Sequence, residues 1–239
     1  MSSQWTRRTT TLRGKHPTED IIYGRLVDAI IEKHLRPGEH LNENKLAEAH
    51  GVPRSRVRRV LERLRDENVV TFELHRGAFI SRPTVEEAHH VYEARRETEL
   101  TVVRLACARA TPDDVTRLET HLQREDAAFR NEDPNFNKVS GDFHYLLAEM
   151  ARNPVFEKLL GSLIRQWVLI QSVYERKGGA ALCLTHEHRS IVAAIAANRP
   201  EEAVAELAHH FDHILAALDL SDDRRSEIDI YDVSELTSG

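Results

Sequence analysis

Cysteine is nearly absent: Cys107 and Cys183 are too few and too far apart for a disulfide framework or a thiolate zinc site, and both are expected to pack as small apolar side chains. Long apolar runs are absent too. The longest fall far short of the roughly 20 residues a membrane-spanning helix needs, which excludes a helical span. The N-terminal residues Met1 to Arg8 have no apolar stretch after their basic side chains, so no secretory leader and a cytoplasmic location are expected. There is no HExxH pair, no nucleophile motif and no obvious general base beside the histidines described below, and an enzyme is not expected. What the chain does have, in 239 residues, is 41% hydrophobic and 30% charged side chains, suited to one large or two ordinary globular domains.

The formal charge of −6 conceals a difference in sign along the chain. Residues 1 to 83 hold 16 Lys and Arg against 11 Asp and Glu, whereas the remainder holds 17 against 28. A segment of balance +5 on a body of −11 points to a polyanion as partner of the first part and a different task for the second.

Residues 1–18 carry Arg7, Arg8, Arg13 and Lys15 without apolar periodicity, which predicts a flexible basic arm. Ile22, Leu26, Ala29 and Ile30 follow helical spacing from Glu19 to Leu35, with Thr18 as cap and Arg36-Pro37-Gly38 as stop. A short helix is predicted over Glu43–His50, capped by Asn42 and ended by Gly51, and a third begins near Pro53. In that third helix Val57, Val60, Leu61 and Leu64 form one apolar stripe. Arg54, Arg58 and Arg65 flank it on one side, Arg56, Arg59 and Arg63 on the other. Six arginines within twelve residues, opposed only by Glu62, repel one another unless a polyanion offsets them. The pattern then changes to period two, Val70, Phe72 and Leu74 alternating with Thr71 and Glu73, before a turn at His75-Arg76-Gly77 and a return through Phe79 and Ile80. Three helices and a basic-tipped hairpin read as a winged helix-turn-helix over residues 19–82, its third helix suited to a DNA major groove and its wing to phosphate or the minor groove.

Arg36-Pro37-Gly38-Glu39-His40-Leu41-Asn42-Glu43, Leu46-Ala47, Gly51-Val52-Pro53-Arg54-Ser55, Val57-Arg58 and Arg76-Gly77 resemble the GntR family of bacterial transcription regulators. The resemblance implies that Arg54, Ser55, Arg58, Arg76 and Gly77 contact operator DNA and that Glu43 orients the docking elements. The chain departs from the family pattern at Pro53, where Ser is common, and at Arg56, where Pro is common, so Arg56 is expected to add a phosphate or base contact. Arg54 and Arg58, near the start of the helix, are the candidates for base reading; Arg59, Arg63 and Arg65 are expected to hold phosphate or pair with acids.

Thr84-Val85-Glu86-Glu87 has the form of a capping box after Pro83 and opens a second domain. About six helices follow over residues 84–220, punctuated at Thr111-Pro112, Asp133-Pro134, Asn153-Pro154, Gly178-Gly179 and Arg199-Pro200, which predicts an all-helical bundle. Residues 221–239 read as an acidic tail. The fold class is thus mostly α: a winged helix-turn-helix followed by a helical ligand-binding domain. The run Val91 to Glu99, Phe143 to Leu147 with Asn153-Pro154, and His186 to Arg189 with Ile191 resemble the FCD ligand-binding domain of the fatty-acid-regulator branch of the GntR family.

Of fourteen histidines, His16, His34, His40, His50, His75, His89, His90 and His121 share no spacing and are expected at the surface or in ordinary polar roles. His144, His188 and His210 fall in helical register with apolar neighbours and face a core. Two readings stand: separately satisfied core histidines, or three imidazoles converging on zinc or another divalent ion. The FCD resemblance implies the second, with zinc or nickel most plausible, and adds an Asp or Asn one turn before the first histidine. That place is Ser140 here, and Asp142 lies about 200° around the helix from His144, so it cannot substitute from the same face. Arg95 either pairs with a neighbouring Glu on the helix surface or, as the resemblance implies, grips the carboxylate of a small organic-acid effector. The expected function is an operator-binding homodimer, repressing by default, with half-sites about 34–36 Å apart and an affinity tuned by effector. The alternatives are a ligand-free dimerisation scaffold and a metal-dependent hydrolase.

Overall fold

The computed structural model describes residues 17–133, 135–176 and 185–221. Nearly all of the basic arm and acidic tail, Cys183, Pro134 and the Gly178-Gly179 break lie outside the described residues.

The N-terminal unit consists of α1 (Pro17–Ile31), β1 (His40–Leu41), α2 (Glu43–His50), α3 (Arg54–Asp66), β2 (Val70–Glu73) and β3 (Gly77–Ile80). Val57, Val60, Leu61 and Leu64 are buried beneath α3, and α1 and α2 both pack on it. Each such side chain contributes roughly 1.5–3 kcal/mol on burial. Asn42 caps α2 by accepting from the backbone N–H of Asn44 and Lys45, both at 3.0 Å. Gly51 ends it in the left-handed region at φ 61°, where a glycine avoids the Cβ penalty. Pro53 stands as the cap residue of α3 rather than its first member.

Three expectations are corrected. Helix α1 begins at Pro17, inside the predicted arm, and ends at Ile31 rather than Leu35. Lys33 takes φ 58° and the N–H groups of His34 and Leu35 fold back on the Ala29 carbonyl, closing the helix before Pro37 is reached. The hairpin gains a third strand: β1 pairs with β3 to give the order β1-β3-β2, with His40 opposite Phe79 and Val70 opposite Ile80. Two residues are too short to show a period. Leu74 leaves the ladder for the turn and stands 84% exposed at the wing tip, because β2 stops at Glu73, opposite Gly77.

The second unit contains α4 (Val85–Arg109), α5 (Pro112–Arg130), α6 (Phe136–Met150), α7 (Pro154–Tyr174), α8 (Thr185–Ala196) and α9 (Pro200–Ala216). The Thr84 capping box forms, with Glu87 N–H on Thr84 Oγ1 and the Glu87 carboxylate on the Thr84 N–H. Helix α4 is the axis of the bundle, packed on α6, α7 and α9, while α5 lies against α6 and α8. Cys107 is buried on α4, as a packing role requires. No helix among the described residues is long and apolar enough to cross a membrane.

The units are joined by polar contacts as well as by packing of α1 on α7. Arg165 of α7 donates from Nε and Nη2 to Glu67 just beyond α3, each at 2.8 Å, and Tyr23 of α1 donates to the same carboxylate. Lys138 of α6 reaches Asp28 of α1 and Glu32 just beyond its end.

Candidate operator interface and buried histidine centre

At the first site, α3 and the wing enclose an open cleft of about 680 Å³, lined by residues including Glu43, Arg54, Arg58, Phe72 and Arg76. Glu43, only 7% exposed, accepts from Arg54 Nε at 2.6 Å and from Arg58 Nη1 at 3.1 Å, which sets both guanidinium groups on one side of the helix. Arg58 also lies over the Phe72 ring, 5.2 Å from its centroid, and pairs with Glu62. Ser55 is exposed nearby. Arg76 pairs with Glu73 and covers Phe79 at the wing, and Gly77 turns the chain at φ 98°.

The other arginines differ in company. Arg59 and Arg63 are held by Glu19 and Asp20 in the first turn of α1, Arg63 also stacking 3.8 Å from the Tyr23 centroid. Arg65 pairs with Asp66. Arg56 has no carboxylate within ion-pair distance among the described residues. Arg54 and Arg58 are therefore aimed by a buried acid, whereas Arg59 and Arg63 serve the packing of α1.

At the second site, His144 of α6, His188 of α8 and His210 of α9 are buried, with one ring nitrogen of each within 4.8 Å of the others. Each Nδ1 meets a different buried carboxylate. Glu99 of α4 lies 2.5 Å from His144, Glu125 of α5 3.0 Å from His188, and Glu187 of α8 2.7 Å from His210. A carboxylate on Nδ1 fixes the tautomer and directs Nε2 to an ion, the usual arrangement behind metal-binding imidazoles. Ser140 is buried and helps hold the Glu125 carboxyl down, so position 140 serves the carboxylate behind His188 instead of supplying one.

Burial alone would raise the Glu99 carboxyl, but His144 and Arg95 bring it down to about 2. Glu187, opposed likewise by burial, is brought down to about 2 by His210 and His213, and Glu125 is lowered by His188 and Ser140. All three imidazoles are lowered, chiefly by burial, His210 to about 4. At pH 7 the carboxylates are thus ionised and the rings neutral. Arg95, 3% exposed, bonds Glu99 at 2.7 Å and lies over Trp167 and Phe211. It pairs with a Glu one turn on, as the residue spacing allows, but in the core rather than on the surface. Three buried negative charges against one positive leave two negative charges, the complement of a divalent cation. Donor set, burial and charge therefore fit such an ion.

Residues 18–80 match the family of bacterial regulatory proteins called gntR, and residues 90–213 match the FCD domain. The chain belongs to the GntR family and carries an FCD domain. It is 31% identical over 195 residues to the Nta operon transcriptional regulator of Aminobacter aminovorans, covering 77% of this chain and 89% of that one. It is 25% identical to the transcriptional repressor NanR of Escherichia coli K12, over 82% of each. Among solved structures, a GntR regulator of Rhodococcus sp. RHA1 is 27% identical with a TM-score of 0.69, covering 88% of this chain and 99% of that one. Escherichia coli McbR/YncC, at 19% identity and TM-score 0.75 over 84% of this chain and 96% of that one, shares the fold.

In this GntR regulator the structure brings together Glu43, Arg54 and Arg58, sets Arg76 and Gly77 across the cleft, and gathers His144, His188 and His210. It separates Arg59 from them. Sequence reasoning missed Glu99, Glu125 and Glu187, whose partners lie 45, 63 and 23 residues away along the chain. Only Glu99 carried a local signal, the four-residue spacing from Arg95. His121, expected at the surface or in an ordinary polar role, is 3% exposed, its pKa lowered to about 4 mainly by burial and its Nε2 without a hydrogen-bond partner among the described residues. It packs against Phe143 beside the centre.

Proposed function

We propose that this transcriptional regulator is a homodimeric repressor whose operator affinity is set by a small carboxylate effector at the histidine centre, with a divalent ion held there. The reading is carried by the centre itself: three buried imidazoles, each backed by a carboxylate, in a cluster two charges short of neutrality. His144, His188 and His210 would hold the ion, zinc or nickel by the softness of their donors. The bound ion supplies a Lewis-acidic point for an effector oxygen. Arg95 keeps Glu99 in place through Nε and offers its remaining N–H groups to an effector carboxylate.

At the other end, Arg54 and Arg58 read base edges, Ser55 and Arg56 add contacts along the groove, and Arg76 and Gly77 place the wing. Arg59 contributes positive potential while anchored to Glu19. The two ends are joined by named contacts: α6 carries both His144 and Lys138, and α7 carries Arg165 to Glu67 at the end of α3. Ligand can shift DNA affinity only by its differential affinity for the arrangements these contacts distinguish, typically 1–3 kcal/mol. The test measures operator binding of the full chain, stripped of metal and then reloaded with zinc, against a panel of small carboxylates. A change in affinity that disappears in the Arg95→Ala variant supports the reading; affinity indifferent to both zinc and every carboxylate removes it.

A further inference from the structure

Beside the centre, on the outer face of α8 and α9, lies a second group of donors, two histidines that the proposed function does not use and the free side of a carboxylate that it does. His209 and His213 are one turn apart on α9, both exposed, with ring centroids 4.2 Å apart. Residues four apart lie on the same helix face, so the pair is a preformed chelate. Glu187 reaches them from α8: its Oε1 meets His213 Nδ1, while its Oε2 holds His210 Nδ1 of the inner centre. One ligand atom from each of Glu187, His209 and His213 lies within 4.8 Å of the other two.

From this juxtaposition we propose a second, surface site for a divalent transition ion, zinc or nickel, held by Glu187, His209 and His213. The chemistry suits those ions: two imidazoles and a carboxylate are borderline donors, and water completes the coordination from the open side. Hard cations such as magnesium are disfavoured, since only one of the three donors is oxygen. Glu187 is already held in place by His210 and His213, its side chain 4% exposed, so the site loses little freedom on binding. The ion takes Oε1 from His213, and the imidazole turns from hydrogen-bond partner to fellow ligand. Because Oε2 still orients His210, whatever factor the outer ion imposes on the inner affinity, the inner ion imposes on the outer. The site does not require the inner histidines to bind metal.

The experiment is a zinc titration of the metal-stripped full chain against a competing chromophoric chelator, with far-UV circular dichroism as a check on folding. His209→Ala combined with His213→Ala is expected to bind one ion fewer per chain than the wild type. His209→Ala alone, which alters only an exposed ring, should weaken the outer ion at least about tenfold. His188→Ala separates the two sites by removing the inner ion and leaving the outer one. If wild type binds one zinc, and that one is lost with His209 and His213 but not with His188, the surface site stands and the inner reading falls. Equal stoichiometry and equal affinities in wild type and the His209/His213 double variant overturn the proposal.

Discussion

Stripping the inner ion should soften the whole helical domain, and the binding free energy of the ion sets the scale. With the metal gone, the buried carboxylates Glu99, Glu125 and Glu187 are opposed in the centre by Arg95 as the buried cation among the described residues. An ion that binds only the folded chain, supplied at about 100 times its Kd, adds about 2.7 kcal/mol. For a chain of this size each kcal/mol moves Tm by about 2–4 °C, giving a rise of about 5–11 °C on adding zinc. The assay is differential scanning calorimetry on the His209→Ala/His213→Ala background, so that only the inner centre responds. His188→Ala abolishes the rise but also strands Glu125, at a cost of about 3–5 kcal/mol. The cleaner variant replaces both partners, His188→Leu with Glu125→Met, which keeps the core filled and avoids an unpaired charge. It should melt close to the metal-free parent and ignore zinc. A zinc response in that variant as large as in the parent, or none in the parent, refutes the reasoning.

Arg165→Met should leave zinc binding intact yet shrink the zinc- or effector-dependent change in DNA affinity, measured by fluorescence anisotropy with and without ligand, because Glu67 loses its bond to α7. His121 has a folded pKa of about 4 against 6.5 unfolded, so the unfolded chain takes up the proton first. Its contribution is complete above pH 6.5 and falls by about 3 kcal/mol as the pH drops through 6.5 to 4, and His121→Phe should flatten that limb in urea melts. Gly77→Ala imposes a Cβ at φ 98° and 3.1 Å from His40 Nε2. It should cost about 1–2 kcal/mol and weaken DNA binding while leaving the zinc-induced thermal shift unchanged.

Local grammar carried most of the fold into the sequence. The apolar stripe of α3, the Asn42 cap, the Gly51 stop and the Thr84 capping box each depend on residues within one or two turns, and each forms as its spacing predicts. What depended on distant partners was not legible. Strand β1 exists only because β3 returns beside it, and the early end of α1 is set by a left-handed Lys33 that no residue preference announces. At the histidine centre the inward register of His144, His188 and His210 was visible as helical periodicity. The three glutamates behind them meet their histidines across helices, so no spacing reveals those pairings, and only Glu99 is marked locally, by its place four residues after Arg95. His121 reads as an isolated polar residue because its burial comes from α6, not from its own helix. His209 and His213 stand four residues apart but were not singled out in the sequence, because their meaning depends on Glu187 arriving from α8.

The central claim is that the Glu43-aimed arginines of α3 read duplex DNA. It is tested by titrating the full chain against a duplex selected from a random pool, and against unrelated sequence, over a range of salt. Wild type should bind both with a steep loss of affinity as salt rises and should prefer the selected duplex. Arg58→Ala should cut that preference by about 1–3 kcal/mol, whereas Arg56→Ala should weaken both duplexes alike and reduce the salt slope by about one. Undiminished preference in Arg58→Ala, or wild-type protein that binds no duplex in a salt-dependent way, would contradict the account.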